Sequence, residues 1–247
     1  MSWTALATTL LAGTAALGLV ACQSTQDKSA ELAKTGKTLL FKEKGLSVGK
    51  ESQDVKVLDS AVLSDQNGAA VVITVKNEGT KDLRDVPISI DVQDKKGKSV
   101  FKNNLPGLEQ ALAAIPLIKA GETEDWVNDQ VLANGTPVSV KTEIGASSDT
   151  FSPDSIPQLD IGAPKLINDP VSGVQAEGAV VNKSGKEQRN LLLYAVARQG
   201  DKVVAAGRGL IGRLKASTKP VNYHIFFIGD PKGAQVDITS FPTLPKE

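Results

Sequence analysis

The feature that most constrains the fold is an internal repeat of strand-like patterns. The segment Val75-Lys76-Asn77 returns as Val180-Val181-Asn182, 105 positions later. Apolar residues at every second position are typical of half-buried β-strands. One such alternating set recurs at the same offset of 105 positions. Its residues Val86, Ile88, Ile90 and Val92 correspond to Leu191, Leu193, Ala195 and Ala197. The sequence therefore predicts an all-β chain built from two tandem copies of one antiparallel β-sandwich.

Turn-forming segments set the limits of the two copies. We assign the first sandwich to residues 54–146 and the second to residues 157–241. The linker, Gly145 to Pro157, is dense in Ser, Asp and Pro. About seven short strands fit into the roughly 95 residues of the first copy. The last strands are aligned by matching Val138 and Val140 with Val236 and Ile238.

An insertion in the first copy, Leu105 to Leu117, has no counterpart in the second. Its apolar residues Leu108, Ala111, Leu112 and Ile115 are spaced as on one side of a helix. We expect either a short amphipathic helix that caps the sandwich or a lid that binds a partner.

The first 53 residues differ in composition from the two copies. Residues 1–21 contain no Asp, Glu, Lys or Arg and are rich in Ala, Leu, Thr and Gly, as expected for a secretory signal peptide. Residues 22–53 are mostly polar, which predicts a flexible stalk. Its one apolar island, Leu39-Leu40-Phe41, either docks on the first domain or belongs to an irregular tether. Since Cys22 is the single cysteine, no disulfide can form within the chain.

The segment Leu19-Val20-Ala21-Cys22 resembles the lipobox of bacterial lipoproteins. The resemblance implies cleavage before Cys22, a lipid on its thiol, and a location at the outer face of the cytoplasmic membrane in the cell envelope. More than one acyl chain would hold the protein firmly on the membrane. An uncleaved transmembrane helix and a buried helix with an incidental cysteine are the alternatives.

A second resemblance covers most of residues 55–240. A Val-x-Asn start, a strand that ends in Asp94 before a glycine turn, and the segment Ala120-Gly121-Glu122-Thr123 resemble the FxLYD-type immunoglobulin-like modules of bacterial surface lipoproteins. Of the signature positions, Asp94 keeps the acid, and Ile90 and Val92 keep the apolar character. The resemblance implies two immunoglobulin-like modules with a structural or binding role, and it supplies no catalytic residues.

Composition argues against several kinds of chemistry. The chain has 28 basic and 28 acidic residues, so no overall field attracts nucleic acid. One histidine, His224, does not suffice for a histidine metal cluster or a Ser-His-Asp relay, and we expect it at an ordinary strand position. The acidic groups near Asp91 and Glu122 lack the spacing of a cation loop. We therefore expect no cofactor, no metal site and no enzymatic activity.

Two sets of residues form the candidate partner surface. Leu192, Tyr194 and Val196 alternate with the predicted core residues, so they form an apolar stripe on the outer face of a strand. The first domain, a second copy of the chain or another protein must cover it. Arg208 and Arg213 belong to a basic stretch. This stretch either binds an anionic wall polymer or lipid headgroups, or forms a solvated face of the protein.

Three functional classes follow from these observations. We expect a lipid-anchored, non-catalytic binding or interaction module whose partner is an envelope protein or an anionic wall polymer. A structural spacer that projects from the membrane is the first alternative. An enzyme that uses carboxylates alone is the second.

Overall fold

The computed structural model describes residues 48–169 and 173–244. Within these ranges the chain consists of antiparallel β-strands and two single-turn 3-10 helices. The predicted all-β sandwich class is therefore confirmed. The described residues belong to one compact unit. No helix among them is long and apolar enough to cross a membrane.

The first half contains seven strands and one 3-10 turn, η1. They are β1 (Val55–Asp65), β2 (Gly68–Asn77), β3 (Leu83–Gln93), β4 (Ser99–Lys102), η1 (Gln110–Leu112), β5 (Ala114–Ile118), β6 (Thr123–Asn128) and β7 (Ser139–Ile144). One sheet has the order β1-β2-β6, and in the other β3 pairs with β4, β5 and β7. Val71, Ile73, Ile88, Ile90 and Trp126 fill the core between the two sheets.

The second half follows the same plan. It comprises η2 (Pro153–Ser155), β8 (Leu159–Ile161), β9 (Lys165–Asp169), β10 (Gly173–Asn182), β11 (Gln188–Gln199), β12 (Lys202–Leu214), β13 (Ser217–Phe226), β14 (Ile228–Gly229) and β15 (Gln235–Phe241). One sheet pairs β10 with β13, β8 and β9, and the other has the order β14-β12-β11-β15. Leu191, Leu193, Ala195, Tyr223 and Ile225 form the core.

Equivalent polar contacts support the repeat. Asn77 and Asn182 are both buried. The amide nitrogen of each donates to the backbone carbonyl four residues later. It also donates to the carbonyl of the last residue of another strand, which is Ile118 for Asn77 and Leu214 for Asn182. Each side-chain oxygen also accepts the N–H two residues on. A buried amide fully bonded to backbone fixes the turn after the strand. The Val-x-Asn pattern therefore marks the same turn in both copies.

Strand pairing corrects the alignment of the last strands. Val92 pairs with Val140, and its counterpart Ala197 pairs with Val236. Val140 is thus the equivalent of Val236, whereas the sequence comparison had matched Val138 with Val236. The predicted alignment is wrong by two positions, because the length of the insertion could not be fixed from the pattern alone. A shift of two positions keeps each side chain on its face.

The insertion is not the predicted amphipathic helix. Helical structure is limited to η1, and Ile115 lies in β5, where it pairs with Val86. In the second copy the single strand β12 makes the pairings that β4 and β5 share in the first. Where β4 leaves β3, the buried Asn103 side chain accepts the N–H of Ile90 and donates to two backbone carbonyls. This amide replaces the interrupted ladder.

The predicted stalk extends too far toward the first sandwich. Ser52 donates its N–H to the carbonyl of Ile144, and Ala146 donates to the carbonyl of Lys50. Residues 50–52 therefore lie beside the end of β7. The remainder of the proposed stalk up to residue 47, with its apolar island, and the signal segment lie outside the described residues.

Candidate functional site

The apolar stripe of β11 lies in the interface between the two halves. Leu192, Tyr194 and Val196 are 5%, 1% and 3% exposed and belong to the same buried cluster as the core of the first sandwich. Of the three coverings predicted for this stripe, the structure places the first domain over it. These three side chains are therefore not a free partner surface.

The interface joins the outer faces of two sheets. Sheet β14-β12-β11-β15 of the second half packs on sheet β1-β2-β6 of the first. Val72 and Val127 pair in register on the face of β2 and β6 that carries Thr74 and Asp125. Because β2 and β11 are covered on both faces, each has an unbroken run of buried residues, 69–73 in β2 and 191–197 in β11.

Arg208 has a buried side chain in this interface. Its side chain is 6% exposed, Nη2 is 3.0 Å from Glu109 Oε1, and Nη1 is 3.8 Å from Asp129 Oδ1. Its backbone N–H also donates to Asp129 Oδ2 at 3.0 Å. The guanidinium carbon lies 5.9 Å from the centre of the Tyr194 ring, within range of a cation–π contact. Burial raises the pKa of Asp129, and the nearby Arg208 charge opposes that rise.

Arg198 and Arg213 are also paired with carboxylates. Arg198 Nη2 is 2.7 Å from both carboxylate oxygens of Asp125, which also accepts the Thr74 hydroxyl. Arg213, 59% exposed, lies outside the interface, 2.8 Å from Glu187, and its hydrogen bond lowers the pKa of that carboxyl. Arg208 is buried and Arg213 is balanced by a carboxylate, so neither presents an unpaired charge to an anionic polymer.

A cleft of about 390 Å³ opens at the rim of the interface, between η1 and β5 of the first half and β11 and the C-terminal segment of the second. We call it the shared cleft. It is lined by Arg84, Asp85, Glu109, Gln110, Ala111, Ala114, Pro116, Leu117, Asn190, Leu192, Phe241, Pro242, Thr243 and Leu244. Leu192, Phe241 and Leu244 are buried and form an apolar floor, whereas Gln110 and Asn190 are exposed. Its volume is typical of a small-molecule site.

The two copies contribute equivalent residues to the shared cleft. Asp85 and Asn190, 105 positions apart, have φ angles of 50° and 51°, the positive-φ residues other than glycine in the described ranges. In both copies the ladder pairing skips this position and resumes one residue later. Asp and Asn tolerate this left-handed conformation better than other side chains. Sequence reasoning missed both residues, although an Asp matched to an Asn at the repeat offset was the available signal.

Charges around the shared cleft are internally compensated. Arg84 Nε lies 3.3 Å from Asp85 Oδ2, and Arg208 Nη2 lies 3.0 Å from Glu109 Oε1. The cleft therefore offers hydrogen-bonding groups beside an apolar floor and little net charge.

A wider groove of about 770 Å³ lies between β1 and the β12–β14 edge. Its lining includes the exposed residues Asp59, Lys202 and Asp230, and of its apolar residues only Val203 is buried. It therefore has a smaller buried apolar floor than the shared cleft.

The histidine, the acidic groups considered as metal ligands and the predicted lipidation site lie apart from the shared cleft or outside the described residues. His224 lies on β13 between the buried residues Tyr223 and Ile225, points to the exposed face and has Nδ1 3.3 Å from Glu177. The predicted ordinary strand position of the histidine is confirmed. No group of three or more potential metal-ligating side chains occurs in residues 48–169 and 173–244. Cys22, the predicted lipidation site, lies outside the described residues.

Comparisons with protein-family models, curated proteins and solved structures found no significant match to this chain.

Proposed function

We propose that this chain is a lipid-anchored protein of the bacterial cell envelope and that its two-sandwich unit is a non-catalytic binding module. In this proposal a lipid on Cys22 holds the protein at the outer face of the cytoplasmic membrane. The uncharged apolar run of residues 1–21 and the lipobox-like segment support the anchor.

The shared cleft is the observation that supports a binding role. Both repeats build it, and it exists because the first sandwich packs against β11 rather than standing end to end with the second. A spacer needs length and stiffness, but it does not need a concave site with a buried apolar floor. Binding sites are commonly concave, mostly apolar and provided with a few polar groups.

The carboxylates of the shared cleft favour binding over catalysis. Asp85 and Glu109 each lie within ion-pair distance of a guanidinium. A general acid or base needs a carboxyl group that is free to exchange a proton with substrate. Two carboxylates held by arginines serve better as fixed hydrogen-bond acceptors.

The lipid anchor is tested by metabolic labelling with an alkyne analogue of palmitate in a bacterium that processes lipoproteins. We expect label on the wild-type chain and on the matched variant Ser24→Ala, and none on Cys22→Ala. Unlabelled wild-type protein would refute the anchor.

The binding role is tested by retention of envelope fragments on the immobilised protein. Gln110→Trp places a large ring at the mouth of the shared cleft, and Gln158→Trp makes the same change at an exposed position outside it. We expect wild type and Gln158→Trp to retain material that Gln110→Trp releases. Equal retention by all three proteins would exclude the shared cleft, and no retention by any of them would favour the spacer.

A further inference from the structure

The polar lining of the shared cleft consists largely of planar groups: two amides that both donate and accept hydrogen bonds, a carboxylate that accepts them and a guanidinium that donates them. Gln110 and Asn190 contribute amides, Asp85 a carboxylate, and Arg84 a guanidinium. Asp85 and Asn190 occupy the left-handed region, a conformation that costs free energy in residues other than glycine. Two such residues at one cleft, one from each copy, are a second sign that this rim is a built site.

The ion pairs define the charge of the ligand. Since Arg84 pairs with Asp85 and Arg208 with Glu109, a strongly charged ligand would have to compete with an existing partner. A neutral ligand can bond to the outer lone pairs of the carboxylates and to the amides of Gln110 and Asn190 without breaking either pair. The paired charges therefore favour a neutral ligand over the phosphate groups of an anionic polymer.

The apolar lining suits a ligand with C–H faces. Pro116 and Leu117 from the first half and Leu244 from the second line the cleft beside the amides. A saccharide ring combines hydroxyl groups, each a donor and an acceptor, with an apolar C–H face, and it bears no charge. We propose that the shared cleft binds a neutral saccharide of one or two rings. This inference rests on the proposed function, because it names the ligand class for the same site.

An extended peptide fits this site less well. A peptide would add to the free edge of β5, where Pro116 has no N–H to donate. The carbonyl of Ala114 already accepts the Trp126 indole N–H, at 3.2 Å, and that of Ala111 accepts it at 2.8 Å. With the Pro116 donor absent and the Ala114 acceptor occupied, a strand added at this edge would lose main-chain hydrogen bonds.

Calorimetric titration of the full-length protein in detergent tests the proposal. Chitotetraose and cellotetraose are the saccharide probes, and a blocked neutral hexapeptide represents the other ligand class. Asn190→Gly removes the amide and keeps a residue that adopts positive φ freely, and Gln110→Ala removes an exposed amide. Gln158→Ala is the matched control outside the cleft, and thermal melts check that each variant is folded.

We expect at least one tetrasaccharide to bind saturably, and each cleft variant to weaken that binding about tenfold, as the loss of a shielded hydrogen bond does. Gln158→Ala should bind as wild type does. The proposal is overturned if neither saccharide binds, if both cleft variants bind unchanged, or if the hexapeptide binds in their place. Cleft-dependent retention of envelope fragments without saccharide binding would leave the proposed function standing and reject only the ligand class.

Discussion

The buried arginine of the interface supports a quantitative prediction. Arg208 Nη1 and Asp129 Oδ1 are 3.8 Å apart. At an effective dielectric constant of about 20, that separation corresponds to an attraction of about 4 kcal/mol before desolvation is subtracted. Removing one partner of a buried pair costs about 3 kcal/mol, because the other charge stays buried. We expect Arg208→Met to lower the free energy of unfolding by about that amount.

Asp129→Asn should cost less than Arg208→Met. Burial outweighs the Arg208 attraction in setting the pKa of Asp129, so the neutral side chain is tolerated there, and Asn still accepts the Arg208 N–H. The double variant should be more stable than additivity predicts, with a coupling energy of about 2 kcal/mol.

A double-mutant cycle of wild type, Arg208→Met, Asp129→Asn and the double variant measures this coupling energy. Urea unfolding of the four proteins is followed by circular dichroism. Arg213→Met is the control, because its pair with Glu187 is shorter, at 2.8 Å, yet largely exposed. We expect no measurable change in its unfolding midpoint. A coupling energy below about 0.5 kcal/mol in the cycle would show that burial does not give the Arg208–Asp129 pair its strength.

Two further predictions concern stability. Burial and neighbouring carboxylates raise the pKa of Glu124 to about 7, so protonated Glu124 stabilises the fold at acid pH and this contribution is lost as pH rises through 7. Glu124→Gln should therefore match wild type near pH 4 and be more stable at pH 8 by at most about 3 kcal/mol. Thermal melts at both pH values measure this, with Glu143→Gln at an exposed position as the matched control. An equal effect of Glu124→Gln at both pH values would contradict the prediction. Asn103→Ala should lower the free energy of unfolding by about 2 kcal/mol in urea titrations, because it leaves three buried backbone groups without partners. Asn104→Ala, at an exposed position, is the control. A similar effect of both substitutions would show that the Asn103 amide does not stabilise the gap between β4 and β5.

The repeat and its strands were predictable because alternation is a local property. Val71 and Ile73 face the core as their positions require, and the parity of β11 correctly identified Leu192 and Tyr194 as a second apolar face. Parity could not say what covers that face, since the answer depends on how the two sandwiches pack.

The shared cleft was not predictable for the same reason. Asn190 and Gln110 are far apart in the chain and meet only at the rim of the interface. The amphipathic helix predicted for the insertion was wrong because the spacing of Leu112 and Ile115 fits both a helix and a turn followed by a strand. Pairing with β3 places Ile115 in a strand.

The two repeats form one unit through the face around Tyr194. Hydrogen exchange of the full-length protein carrying Tyr194→Asp tests this packing directly, with Tyr223→Asp, a core substitution in the second sandwich, as the comparison. We predict that Tyr194→Asp speeds amide exchange in β2 and β6 of the first sandwich as well as in β11, because the buried carboxylate separates the two sheets. Unchanged exchange in β2 and β6, with a change confined to the second sandwich, would show that the first sandwich does not depend on this interface.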